Sequence, residues 1–240
     1  TEYDTGFTAE SQVENLLEEE KSNSTKTVAD ENGFVIEEGV LVFYEGDAET
    51  VTIPDGVTSI AKSAFRDNKI LKKVIIPNSV TTIEHYAFSD CTALTEIIIP
   101  NSVTVIEDFT FYGCTGLTEV VIPNSVTCIN TYAFAGCSSL AEITLPESLN
   151  YIESDAFWCS GLTEIVIPNN VSVIEYGAFK NCSNLTKVSL PNNLKSISTD
   201  VFYGTKWLET KRNENPLVIE NSVLIDATTT TGNVEIPDGI

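Results

Sequence analysis

Residues 80–102 read VTTIEHYAFSDCTALTEIIIPNS and residues 103–125 read VTVIEDFTFYGCTGLTEVVIPNS, two consecutive 23-residue stretches that share one apolar frame. The frame continues in both directions. Prolines fall at Pro54, Pro77, Pro100, Pro123, Pro146, Pro168 and Pro191, spaced by 23, 23, 23, 23, 22 and 23, so seven of nine prolines occupy one column. Such a period marks a stacked array of small units rather than a globule with one central core.

Within one unit, Val80, Ile83, Ala87, Phe88, Leu94, Ile97 and Ile99 recur while the residues between them vary, so these are the inward set. Burying so few side chains does not offset the entropy of ordering the whole unit. A lone unit therefore cannot fold. Stacking buries its flanks and pairs its backbone with its neighbours, and the ends of the array need caps. LTEIIIP, residues 94–100, turns Ile97 and Ile99 one way and Glu96 and Ile98 the other, then meets a proline that cannot donate to a ladder. That predicts a short parallel strand. Pro-Asn at 77–78, 100–101, 123–124, 168–169 and 191–192 turns the chain into VTxI, a second short extended piece. The segment around Ala87 and Phe88 is too short for an independent helix and predicts one helical or 3₁₀ turn.

These motifs resemble the BspA-like branch of leucine-rich repeats, whose pattern runs approximately LxxIxxxAFxxCxxLxxIxIPxx, and the match spans residues 51–210 in seven register-matched copies. The resemblance implies a repeat solenoid, a right-handed superhelix with one parallel sheet of short strands on its concave face. It also implies export to a bacterial surface, where relatives are often adhesins for host matrix proteins or other cells. The chain departs from the pattern in the unit containing Trp158, which has one residue fewer between Phe157 and Leu162, and in the seventh unit, Leu194 to Thr210, which loses its Ile-Pro ending.

A different element recurs at the ends. Residues 34–57, FVIEEGVLVFYEGDAETVTIPDGV, align without a gap to residues 217–240, LVIENSVLIDATTTTGNVEIPDGI, with 10 of 24 identical. In each copy two apolar runs flank a polar tip, Glu45-Gly46-Asp47 in the first and Thr229-Thr230-Thr231-Gly232 in the second, which predicts a hairpin-like insertion. Either the second copy opens a further array, or the element caps both ends. The resulting division is a polar segment over 1–33, a hairpin-like cap over 34–56, the repeat array over 57–210 and a second insertion over 211–240. In the first segment, Ser11-Gln12-Val13-Glu14 matches a capping box before Leu16 and Leu17, predicting a helix from about 11 to 20 that covers the first unit or serves as a stalk.

The composition narrows the function. The 240 residues are 42% hydrophobic, enough to fold, and 13 basic against 35 acidic side chains give a net charge of −22. Such a field repels nucleic acid and anionic lipid. Apolar runs stop after a few residues, far short of the roughly 20 needed to span a bilayer. With no methionine, the chain reads as a trimmed or processed product from which any export signal would already be gone.

Catalytic chemistry is poorly supplied. The single histidine, His85, shares a column with Lys62, Asp108, Thr131, Ser154, Tyr176 and Thr199, so it is an unconstrained surface position and no Ser-His-Asp or Cys-His arrangement can be built. Ladders of like carboxylates do not single out one acid and one base, so a glycosidase pair is not expected. Cys91, Cys114, Cys137, Cys159 and Cys182 are read as one column. Stacked Cβ atoms would stay about 4.8 Å apart, beyond disulfide range, so free buried thiols are expected and CxxC-type zinc spacing is missing. No cofactor and no metal are expected.

Two surface features remain. Lys73, Glu96, Glu119, Glu142, Glu164 and Lys187 follow one another on the outward side of the strand, beside an aliphatic row of Ile75, Ile98, Val121, Thr144 and Val166. Carboxylates about 5 Å apart repel by ~0.8 kcal/mol per pair in water. The row is read as a solubilising face, as a docking strip for a basic protein partner, or as a weak calcium site that lacks a wrapping loop. Glu84, Glu107, Glu153 and Glu175 form a second acidic column interrupted by Asn130. Tyr86, Phe109 and Tyr132 share a column off the sheet, with Tyr112 and Trp158 nearby, and read as a stabilising stripe or as a platform for a sugar. The function expected is a secreted or cell-surface, monomeric, non-enzymatic module that binds a protein through Glu96, Glu119, Glu142, Glu164, Ile98, Val121, Thr144 and Val166. The alternatives are a passive spacer and a carbohydrate-binding surface.

Overall fold

The structure, a computed structural model, describes residues 28–228. The helix expected at about 11–20 and the Thr229–Gly232 tip lie outside the described residues. Seven coils stack in register, because each unit presents the same apolar column to the next and shares its backbone hydrogen bonds with it. The LTEIIIP stretches form one parallel ladder: Thr50–Thr52, Lys73–Ile75, Glu96–Ile98 and Glu119–Val121 pair in succession, and Glu164–Val166 pairs with Lys187–Ser189. Equal repeat lengths put like residues opposite one another, Glu96 against Glu119 and Ile97 against Val120.

The expectation of a single parallel sheet is corrected, since the VTxI pieces build a ladder of their own. Ser59–Ile60 pairs with Thr82–Ile83, and Val105–Ile106, Cys128–Ile129, Tyr151–Ile152, Val173–Ile174 and Ser196–Ile197 pair in order. The cause is local: beyond each Pro-Asn turn the Thr81 and Thr127 amides donate to the Thr58 and Thr104 carbonyls of the preceding coil, which starts a new ladder. Each ladder is interrupted once, the second between Ile83 and Val105, the first at Glu142–Thr144, where no strand forms.

On the third side the expected helical or 3₁₀ turn is a run of reverse turns. Alternate amides look inward and across: Ala87, Ser89 and Cys91 donate to the carbonyls of Glu84, Tyr86 and Phe88, while Tyr86, Phe88 and Asp90 donate to Asp108, Thr110 and Tyr112 of the next coil. A helix would spend all of these amides within the coil. Left-handed backbone at Tyr86 and Asp90 (φ 60° and 59°) resets the direction and prevents helix propagation.

The inward set is buried as expected, with Val80, Ala87, Phe88 and Leu94 at 0% exposure and Ile83, Ile97 and Ile99 at 2%, 1% and 2%. Phe65, Phe88, Phe111, Phe134, Phe157, Phe179 and Phe202 stack in one file, with centroids 4.9–5.6 Å apart and planes within 11°. Tyr44 closes one end of the file against Phe65, and Trp207 closes the other edge-on against Phe202.

Those two rings arrive on caps that differ from expectation. At the first end, Phe34–Glu37 and Val40–Tyr44 form an antiparallel hairpin whose turn is Glu38-Gly39 (φ 48° and 82°), not Glu45–Asp47. Positive φ at both loop residues is the geometry that matches strand twist in a two-residue turn. Val40 and Leu41 then pair parallel with Ser59 and Ile60, so the hairpin continues the second ladder, and Glu45–Ala48 merely connect to the first. The related Val218–Glu220 and Val223–Asp226 hairpin turns at Asn221-Ser222. Where the seventh unit loses its Ile-Pro ending, an unforeseen helix runs over Lys206–Glu214. Thr205 caps its first turn through Leu208 N–H, and Trp207 and Leu208 cover the last coil.

The short unit closes at Gly161, where one residue joins Ser160 to Leu162 in place of two. A Cβ there would stand 2.2 Å from the Ser138 carbonyl oxygen, a backbone atom with little room to move. Gly161→Ala is expected to destabilise the fold by about 1–3 kcal/mol through overpacking. The check is a lower urea midpoint with an unchanged dependence on urea concentration.

Candidate functional site

The first ladder carries the acidic and aliphatic rows on its outer face because its residues alternate: Ile97, Val120 and Ile165 point inward at 1%, 7% and 2% exposure, leaving their neighbours to solvent. Ile98, Val121 and Val166 are 58%, 45% and 68% exposed, with Ile75 at 46% continuing the row. Lys73 pairs with Glu96 at one end of the carboxylate file, and Lys187 Nζ lies 3.0 Å from Glu164 Oε2 at the other. Among the described residues Glu119 and Glu142, between them, have no ion pair. The negative potential of the face is therefore concentrated at its middle.

That middle is also where the ladder opens. In the regular coils a threonine secures the start of the strand twice over: the amide and hydroxyl of Thr95 both donate to Lys72 O, and those of Thr118 both donate to Thr95 O. Thr163 and Thr186 repeat the arrangement on Ala141 O and Thr163 O. Ala141 stands in this column without a hydroxyl. Neither its amide nor any other described group donates to Thr118 O, and from Glu142 to Leu145 no backbone group has a hydrogen-bond partner among the described residues. A groove of about 520 Å³ lies between Thr118–Ile122 and Glu142–Thr144. A second, of about 310 Å³, separates Glu142–Leu145 from Glu164–Val166. Glu142 and Thr144 are thus on the expected face and exposed, but outside any strand, which corrects the reading of an unbroken row. Ala141 stands in a column that holds Thr95, Thr118, Thr163 and Thr186 and also Lys72, whose amide still donates to Glu49 O and whose strand is paired, so the missing hydroxyl alone does not open the ladder.

Three carboxylates of the second acidic column accept hydrogen bonds from neutral neighbours. Asn130 Nδ2 donates to Glu107 Oε2 at 3.0 Å, Thr131 Oγ1 to Glu153 Oε2 at 3.1 Å, and Ser198 Oγ to Glu175 Oε2 at 2.8 Å. Tyr86, Phe109 and Tyr132 are brought together as expected, stacked at 4.6 and 4.9 Å with planes 8° and 19° apart. Their ring faces are spent on one another. Arg66 covers the outer face of Tyr86 at 5.6 Å, and Tyr112 and Trp158 meet Tyr132 edge-on. Burial, with Asp155 beside it, pushes the Tyr132 phenol up to about 12. His85 keeps a half-exposed ring with Nδ1 3.4 Å from Asp108 Oδ2.

The thiols are structural donors. Sγ of Cys91, Cys114, Cys137 and Cys182 donates to the carbonyls of Phe65, Phe88, Phe111 and Phe157 in the preceding coil, at 3.0–3.2 Å. Burial pushes Cys91 to about 12 and Cys182 to about 11 and holds Cys114 and Cys137 well above the ordinary thiol value, so thiolate nucleophiles are scarce at neutral pH. All six cysteines are free. Cys159 does not belong to their column, which corrects the expected file of five: Ser160 takes the position, 3.2 Å from Cys182 Sγ, and Cys159 occupies the left-handed site before it (φ 55°). Among the described residues no group of three or more His, Cys, Asp or Glu side chains could hold a metal ion.

Comparison with known proteins agrees with this geometry. The family described as BspA type leucine rich repeat region matches six copies across residues 39–129 and 104–229. A leucine-rich repeat protein from Bacteroides ovatus is 31% identical over 73% of this chain and 42% of its own, with a TM-score of 0.52. A leucine rich cell surface protein from Faecalibacterium prausnitzii is 28% identical over 70% of this chain and 55% of its own, at 0.53. One from Eubacterium ventriosum is 25% identical over 72% and 50%, also at 0.53. The chain thus spans about half the length of these relatives. No curated protein matches it.

Proposed function

The chain belongs to the BspA-type leucine-rich repeat family, and from that premise we propose that it is a non-enzymatic, secreted or cell-surface module that presents its first ladder to a protein partner. The carrying observation is that Glu119 and Glu142, without ion pairs among the described residues, stand with the exposed Val121 on the outer face where the ladder opens, a composition suited to an interface with a basic surface. The cell-surface description of the Faecalibacterium prausnitzii relative supports the location. Among the described residues no helix is long and apolar enough to cross a membrane. A sugar platform at Tyr86, Phe109 and Tyr132 is less favoured, because sugars stack on ring faces and these faces are already covered.

The test is capture of a partner from host matrix and mucosal extracts by the purified module. Glu119→Lys with Glu142→Lys is expected to weaken capture at least tenfold while leaving the thermal midpoint within a few degrees of the parent. Absence of any saturable partner, or a partner indifferent to both reversals, would overturn this reading and favour a spacer.

A further inference from the structure

The opening at Ala141–Leu145 is unlike the rest of the acidic face. There the sheet offers the unpaired carbonyl of Thr118, whose counterparts in other coils accept two or three bonds, Thr95 O from the Thr118 amide, the Thr118 hydroxyl and the Glu119 amide and Lys72 O from the Thr95 amide and hydroxyl. It also offers the unpaired amides and carbonyls of Glu142 to Leu145, two grooves, and the two carboxylates with no lysine beside them. Backbone groups that no neighbouring strand satisfies form a template for further chain. Resting on the face assigned above, we propose that this opening is the docking point and that its occupant is an extended, basic segment of a partner protein, with Arg or Lys alternating with apolar residues.

The chemistry selects that occupant. Orphan carbonyls in a groove rimmed by carboxylates call for donors without acceptors, which is what guanidinium and ammonium groups are. A guanidinium reaching into the groove can bond a carbonyl and a carboxylate together, a charge-assisted contact about twice as strong as a neutral one. Residues two apart on an extended segment point to the same side, so basic side chains enter on the outer side shared by Glu119 and Glu142 while the intervening apolar side chains turn to the opposite, inward side, where the groove is lined by Val120 and Ile143. An acidic or wholly apolar segment would leave Glu119 and Glu142 desolvated without a counter-charge. The interruption of the second ladder between Ile83 and Val105 differs, because both flanking strands are formed there.

The experiment uses two fluorescein-labelled hexapeptides, alternating Arg-Val and alternating Glu-Val, titrated against the whole protein and followed by anisotropy and amide exchange. The Arg-Val peptide should bind saturably and slow exchange at residues 142–145, and the Glu-Val peptide should not bind. Ala141→Thr, which restores the missing hydroxyl without changing charge, and Glu142→Gln should each weaken binding at least tenfold. Glu209→Gln on the distant helix should leave it unchanged. Failure of the Arg-Val peptide to bind, equal binding of the Glu-Val peptide, or equal loss in Glu209→Gln would each overturn the proposal. If the peptide fails while an extract partner is still lost on the double charge reversal, the docking face stands and only this inference falls.

Discussion

Phe134→Ala should lower the stability of the array by about 4 kcal/mol, in the range of 3–5 for deleting a buried phenylalanine ring. Phe134 is fully buried and its ring is stacked between Phe111 and Phe157, with centroids 5.2 and 5.4 Å away. The loss therefore combines apolar area, a cavity between two coils, and two offset stacks worth roughly 0.5–1.5 kcal/mol each. Collapse cannot refill the gap cheaply, since the coils are held at fixed spacing by three sets of inter-coil hydrogen bonds, and closing it would strain all of them. The position matters too. In a nearest-neighbour system a defect at the centre weakens two interfaces at once, whereas the half-exposed Phe109 stacks outside the core, and Phe109→Ala should cost about 1 kcal/mol. Urea denaturation of the two variants beside the parent measures both. Equal costs would show that the Phe file carries no more of the stability than the flank stripe.

The Phe file was legible because a period of 23 and an apolar residue that never leaves its column admit only one packing. The strand faces were legible because Ile97 and Ile99 alternate with Glu96 and Ile98. What misled were places where two rules competed. Counting back from Leu162 puts Cys159 in the thiol column, and counting forward from Phe157 puts Ser160 there. Only the location of the missing residue, at Gly161, decides, and that depends on which loop can tighten. The polarity of Glu45–Asp47 looked like a hairpin tip, while the true turn at Glu38-Gly39 lay inside an apolar run and was set by backbone conformation rather than by hydropathy. The opening of the ladder at Glu142 had no marker in its column, since Lys72 shares the Ala141 column without a hydroxyl and its strand is nevertheless paired. The sequence did show the acidic file with a lysine at each end, because the constant period already places Lys73 beside Glu96 and Lys187 beside Glu164.

Alkaline pH should melt this protein early, with stability falling by up to about 5 kcal/mol per pH unit between roughly 9 and 10. The cause is the thiol file. Cys91, Cys114, Cys137 and Cys182 sit in the core with acidities suppressed by burial, Cys91 to about 12 and Cys182 to about 11. Cys114 and Cys137 are likewise held well above the ordinary thiol value by burial. In the unfolded chain the same thiols titrate near 8.5–9. Above that pH the unfolded state has lost four protons that the folded state retains, so it binds fewer protons and stability declines as pH rises. The contribution is intact below the unfolded value and lost progressively toward the folded ones. Each thiol contributes about 1.4 kcal/mol per unit while its two states straddle the pH, and four together give the slope stated. Tyrosines take part only near and above 10, which fixes the window. Replacing all four by serine keeps a hydroxyl donor at each position, a residue the column already accepts at Ser160, but removes the titration. The thermal midpoint of that variant should fall much less than the parent's from pH 8 to 10, the remaining fall coming from Cys128, which burial also raises to about 12. A parallel fall in both proteins would assign the alkaline weakness to other groups and leave the buried thiols as packing residues alone.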